Sequence, residues 1–383
     1  MRFLRLLIGF LPLTAAFPLP PFKSLARTGR TKPRVPVIDL SRWQSLLPDS
    51  TPLSRLSIPG THDTMSYPKP PRRSLPLLTQ TQVLPLASQL SSGVRYLDLR
   101  LQHHEDRFVL HHGSVYLHFD LPSVLRIVEA FFAGGSGGGA RETLVVRASC
   151  NNCHVRGQKK FGNTRSFLAT AEWYFHDDPA TRDWFARRAF VSAGWHVPTL
   201  GETRGKVVFV QDFPEGEPWG KILWRDQLQV LIQDQWDLKL GKDLKRKVNA
   251  VKEFFLETVW PLHDPPPEGA AAAAPKPGPP LPPPYPPPLT INHLSGSGLL
   301  CCSPADTSRY VYKSLYGWLR HGWDNGGGRP MGIVAGDYVT TNVARVIVEK
   351  NFLKGGAGEA VKVDFDWKNW GKGWRQMVKG RLC

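Results

Sequence analysis

Cysteine is scarce in this chain and odd in number. The five residues include one CxxC, Cys150-Asn151-Asn152-Cys153, the adjacent pair Cys301-Cys302 and Cys383. No second CxxC or nearby Cys/His pair completes a zinc site, so no metal site is expected. In an oxidising compartment Cys150 and Cys153 can close a short loop. No Lys/Arg run reaches five residues, and no nucleic-acid-reading motif occurs. The densest basic run, Lys245-Arg246-Lys247, reads as the solvated face of a helix. The apolar stretch at residues 6–13 is too short to span a bilayer, and no transmembrane segment is expected. Acids are the minority, 32 Asp+Glu against 49 Lys+Arg, for a net charge of +17. Such a surface attracts polyanions. With nothing built to read nucleic acid, an anionic membrane surface is the favoured partner.

The chain divides by composition. Residues 1–16 have the layout of a secretory signal peptide: a basic start with Arg2 and Arg5, an apolar run, then Thr14-Ala15-Ala16. The alternative is a mitochondrial presequence, because Arg2, Arg5, Arg27 and Arg30 come with no acid before Asp39. The expected location is secreted and peripheral to a membrane. Residues 17–50 are rich in Pro and Arg and read as an extended leader. Residues 51–355 form one domain, and 356–383 a Trp/Lys-rich tail. Within the tail Trp367, Trp370 and Trp374 share one helical face beside lysines. That face suits a membrane foot or packing on the domain, although Gly371 and Gly373 weaken the helix. Two low-complexity stretches interrupt the domain: a Gly-rich loop at 133–140 and a Pro/Ala-rich loop insert at 265–289.

The domain alternates short apolar runs, read as strands, with helical patterns. Strands are expected at 55–59, 94–102, 108–112, 143–148, 206–211, 229–233 and 331–335. Helices are expected at 121–132 (N-cap Asp120), 161–175, 242–259 and 341–352. This alternation argues for a parallel α/β architecture. The polar residues gather where strands end, which is where a TIM-type (β/α) barrel, whole or incomplete and distorted, builds its site. His62 and His112 each end a strand-like run, and Asp98 and Arg100 share one face of a third. Two imidazoles, an arginine and several carboxylates suit in-line phosphoryl chemistry with one general base and one general acid. His111 should turn to an outer layer, and His103 and His104 should be exposed.

Gly60-Thr61-His62-Asp63, Asp98-Leu99-Arg100 and Leu110-His111-His112-Gly113 together resemble the X-domain of the phosphatidylinositol-specific phospholipases C, bacterial type. The resemblance continues more weakly through Gln233-Asp234-Gln235-Trp236 and Ala335-Gly336-Asp337. It implies His62 as general base held by Asp337, His112 as general acid held by Asp63, and Arg100 neutralising the phosphoryl oxygens beside Asp98. It also implies Asp234 and Trp236 as headgroup contacts. In calcium-dependent relatives an acid stands where Arg100 does, so the resemblance implies no metal and no other cofactor here. Two pocket positions depart from the family's pattern: Ser149 and Asp212 replace basic residues, with Arg147 or Lys206 as candidate substitutes. Three functions follow: a metal-independent phosphodiesterase on phosphatidylinositol, the same chemistry on another phosphodiester, or a catalytically decayed lipid-binding protein.

Overall fold

The computed structural model describes residues 38–69, 75–134, 139–151, 153, 161–191, 196–213, 222–263, 287–322 and 329–352. The signal-like segment, the leader as far as residue 37, nearly all of the Pro/Ala-rich insert and the Trp-bearing tail lie outside the described residues. Ten strands are described: β1 (Ser57–Thr61), β2 (Tyr96–His104), β3 (Arg107–His112), β4 (Val115–Asp120), β5 (Leu144–Cys150), β6 (Val207–Asp212), β7 (Ile222–Leu223), β8 (Val230–Gln233), β9 (Leu289–His293) and β10 (Gly332–Gly336). Eight of them are parallel neighbours in the order β7-β6-β5-β2-β1-β10-β9-β8. They curl into a nearly closed TIM-like barrel. Among the described residues no ladder joins β7 to β8, so the expected barrel is present with one open seam.

Alternation along each strand sorts side chains between two layers. Ile58, Tyr96, Val145, Val208, Val210, Ile291, Ile333 and Ala335 belong to the cluster that fills the interior. Leu97, Leu99, Leu101, Val146 and Phe209 join the outer cluster. The helices α1 (Leu86–Ser91), α2 (Leu121–Ala133), α3 (Phe167–His176), α4 (Arg182–Arg188), α5 (Leu200–Thr203), α6 (Asp243–Phe254), α7 (Pro304–Gly322) and α8 (Thr341–Glu349) complete the fold. Val124, Val128, Val251, Val311 and Ile347 on four of these helices pack into the outer cluster. Asp120 caps α2, accepting from Ser123 N at 2.9 Å, with Pro122 in the first turn. Gly60 has a steric cause: a Cβ there would lie 2.6 Å from Cδ1 of Tyr96. Among the described residues no helix is long and apolar enough to cross a membrane.

Three expectations need correction. Residues 38–50 do not continue an extended leader. Leu40–Leu46 is a 3-10 helix capped by Asp39, and Ile38, Leu40, Trp43 and Leu47 join the interior cluster. The Trp43 Nε1 group donates to the Gly93 carbonyl at 3.0 Å. Beside it Arg95 and Glu142 form a fully buried pair at 2.8 Å, and Glu142 accepts from Ser45 N at 2.9 Å. The apolar side chains of this stretch outweigh its Pro/Arg-rich context. Second, β3 is not another parallel strand. It folds back antiparallel on β2 and pairs with β4, forming an extension of the sheet. Third, Leu289 is not part of the insert but the first residue of β9, so the insert falls in the crossover between parallel β8 and β9.

Candidate active site

Thr61 and Gly336 are register partners at the ends of β1 and β10, so His62 and Asp337 leave the rim side by side. The His62 N–H donates to Gly336 O at 3.0 Å. Its Nδ1 donates to Asp337 Oδ1 at 2.6 Å, and its Nε2 accepts from Arg100 Nη2 at 2.6 Å. These partners assign the tautomer, because guanidinium can only donate. Burial opposes charging of His62, and so does Arg100. The Asp337 carboxylate and its hydrogen bond, joined by the Asp98 charge, outweigh both, and the net direction of the pKa is upward.

Arg100 lies 3.5 Å from Asp98 Oδ2 and 3.6 Å from Asp63 Oδ2. Asp98 is fully buried and also faces Arg147 Nη1 at 3.4 Å. Burial works against its charge, but Arg147 and Arg100 override it and hold the carboxyl well below its usual range. Asp63 has a left-handed backbone, φ 42°, which Asp tolerates better than most residues. Burial dominates its surroundings, and its pKa is raised despite Arg100 and His112. His112 arrives at the end of β3. Its Nδ1 donates to the Thr79 carbonyl at 2.6 Å, with Asp63 Oδ2 further off at 3.4 Å. Thr79 O, rather than Asp63 alone, therefore fixes this ring, leaving Nε2 free of that duty. The His62 and His112 centroids are 6.4 Å apart and the rings perpendicular. All six residues expected to carry the chemistry thus converge on one rim.

Sequence reasoning missed several supports. Gln82 is fully buried, and its Nε2 donates to the carbonyls of His62 (2.8 Å) and Gly336 (3.0 Å). Thr81 Oγ1 donates to Asp63 O at 3.0 Å. A polar loop gave no signal for either. Lys247 was expected on a solvated helix face; it is fully buried, its Nζ 3.3 Å from Gln233 Oε1. Burial lowers its pKa to about 8, and Asp234 and Asp337 oppose that shift. His103, expected exposed, is also fully buried, with Nε2 2.9 Å from Thr170 Oγ1. His111 keeps its expected place off the site, its ring 5.4 Å from that of Tyr116. Cys150 and Cys153 are disulfide-bonded.

The chain is similar to known proteins. No family model matches the chain. It is 30% identical over 213 residues to the 1-phosphatidylinositol phosphodiesterase of Listeria monocytogenes, spanning 55% of this chain and 61% of that protein. It is also 30% identical over 234 residues to the 1-phosphatidylinositol phosphodiesterase of Staphylococcus aureus strain Newman, covering 56% of this chain and 68% of that one. The chain belongs to the bacterial-type phosphatidylinositol-specific phospholipase C family. Its fold matches the solved phosphatidylinositol-specific phospholipase C from Listeria monocytogenes with a TM-score of 0.60 at 20% identity, over 82% of this chain and 99% of that one.

Ser149 and Asp212 are the two pocket positions at which this phospholipase C homologue was expected to depart from its family's pattern. Arg147 on β5 takes its place beside the site. Its Nη2 and Nε donate to Asp212 Oδ2 at 2.6 and 3.1 Å, and its guanidinium stacks 3.9 Å from the centre of the Trp224 ring. Asp212 therefore faces a cation instead of supplying one. Ser149 Oγ is 3.3 Å from Leu99 O. Lys206 does not substitute for either lost base: it precedes β6, at the barrel end opposite the rim. Asp234 and Trp236 follow β8 and line a pocket of about 340 Å³ with Asp237, Lys239 and Arg246. Trp236 is 58% exposed. Among the described residues no group of three or more His, Cys, Asp or Glu side chains is arranged to hold a metal ion.

Proposed function

We propose that this chain is a metal-independent phosphodiesterase that cleaves phosphatidylinositol-type lipids. The carrying observation is the contact set Asp337–His62–Arg100 facing His112 across 6.4 Å. His62 Nε2 takes the proton of the inositol 2-hydroxyl. That oxygen attacks phosphorus as the bond to the glycerol oxygen breaks. His112, protonated on Nε2, delivers its proton to the leaving diacylglycerol oxygen, and the other product is the 1,2-cyclic phosphate. Arg100 leaves His62 to bind the phosphoryl oxygens, supplying positive charge that a divalent ion supplies elsewhere. Asp63 balances the protonated His112. Asp98, shared by Arg100 and Arg147, fixes the direction of the working guanidinium.

The membrane surface is the proposed place of work. Leu299 and Leu300 are 85% and 88% exposed in the loop after β9. That loop pairs with the one carrying Trp236 through Ser297, whose N–H donates to Trp236 O at 3.0 Å. Apolar side chains beside an active-site rim suit shallow insertion between lipid headgroups. The test is turnover of phosphatidylinositol vesicles in EDTA, with the cyclic phosphate identified as product. Loss of activity in EDTA with rescue by calcium rejects the metal-free route. The Asp212–Arg147 pair favours one second reading, the same chemistry on a different phosphodiester that carries a neighbouring hydroxyl. A substrate panel separates the two.

A further inference from the structure

One buried imidazole beside the site has no part in the chemistry above. His293 ends β9 and its side chain points into the barrel, fully buried. Its centroid lies 5.9 Å from that of His62, 6.0 Å from Trp224 and 6.5 Å from Tyr96, edge-on to each. Neither of its ring nitrogens has a hydrogen-bond partner among the described residues, and the Tyr96 hydroxyl in the same layer has none either. Packing alone does not account for this, since a phenyl ring fills the same space without burying polar atoms. The tip of β9 is held firmly: Gln233 Nε2 donates to His293 O and to Asn292 Oδ1, both at 2.8 Å. Gln233 and Asn292 are register partners, so the next residues, Asp234 and His293, stand side by side.

We propose that His293 binds the headgroup, hydrogen-bonding a ring hydroxyl of the polyol whose phosphodiester is cut; this rests on the phosphodiesterase reading and deepens it. Asp234 gives an acceptor near solvent, and His293 gives one donor and one acceptor a layer deeper. Together they read two neighbouring hydroxyls. Burial drives the imidazole down to about 3, and the Asp234 carboxylate does not reverse this. The ring is thus neutral at working pH, which suits a hydroxyl and not a second phosphate. The nearby Arg147 guanidinium is engaged by Asp212 and Asp98 and does not compete for the same hydroxyl.

The test uses the full chain, His293→Phe and His293→Asn. Binding of free myo-inositol is measured by calorimetry, thermal unfolding by scanning calorimetry, and kcat and KM on phosphatidylinositol vesicles. His293→Phe should weaken inositol binding about tenfold or more and raise KM, with the thermal midpoint kept or raised. His293→Asn, which still donates and accepts, should bind more tightly than the Phe variant. Unchanged inositol affinity in His293→Phe overturns the proposal, as does the absence of saturable inositol binding by the wild type. A wild type that binds inositol through His293 but cleaves no phosphatidylinositol sinks the lyase reading and leaves this one standing.

Discussion

Replacing Asp337 with Asn removes one charge and almost no volume. The carboxamide oxygen can still accept from His62 Nδ1, so the ring keeps its direction. What remains around the ring is burial and a guanidinium 2.6 Å from Nε2, which disfavour the imidazolium, against the weaker favourable charge of Asp98. The upward direction of the His62 pKa should therefore reverse. A charge-assisted hydrogen bond contributes about 1.5–3 kcal/mol, or about one to two pH units. A working base must be neutral, so wild-type kcat/KM should fall as pH drops through the raised value. In Asp337→Asn that acidic limb should move to lower pH, and the plateau should fall by ~10²-fold or more. The linkage sign agrees. Paired imidazolium stabilises the fold fully below about pH 6.5 and is lost as pH rises through the folded-state value. The variant's loss of thermal midpoint should thus be greatest in acid. The assays are kcat/KM against pH and, independently of turnover, an NMR titration of the His62 ring. A titration that stays put or moves upward in the variant refutes the reasoning.

Other substitutions probe other parts. Arg100→Lys keeps the charge but loses the fork, and kcat on phosphatidylinositol should fall by ~10²-fold or more; an unchanged kcat would contradict the role given to the guanidinium. Leu299→Ser with Leu300→Ser should weaken vesicle binding in a sedimentation assay by about tenfold or more while leaving cleavage of a monomeric substrate unchanged. Glu349 is nearly buried, and burial raises its pKa to about 7 against the opposing Arg345. Its protonated form stabilises the fold below about pH 4.5, and that stability is lost as pH rises through about 7. Glu349→Gln should therefore raise the thermal midpoint most above pH 7, and a gain confined to acid pH would count against it.

The legible parts of the site are those that one strand carries by itself. Asp98 and Arg100 share a face because alternation requires it, and His62 follows a Pro-Gly pair whose glycine the Tyr96 ring demands. What pairs with what is a different matter. The 2.6 Å contact of His62 with Asp337 depends on the Thr61–Gly336 register, which joins residues 275 apart and which nothing local encodes. His293 escaped notice because β9 abuts the proline run, whose composition hid a strand. Lys247 was misread because its neighbours Lys245 and Arg246 are exposed and a charge run looks solvated as a whole. The reversal at β3 was hidden because a short apolar run does not record strand direction. His103 shows the same limit, since its burial comes from α3, which lies far along the chain.

The stopper formed by residues 38–47 sets a limit on how this chain can be trimmed. Any maturation protease must cut upstream of Ile38, because a cut after Leu47 removes the Trp43 indole from Gly93 and strips Glu142 of its backbone donors Gln44 and Ser45 while Arg95 stays enclosed. A truncation begun at residue 51, where composition alone would start the domain, should yield a barrel unplugged at its base and prone to aggregate.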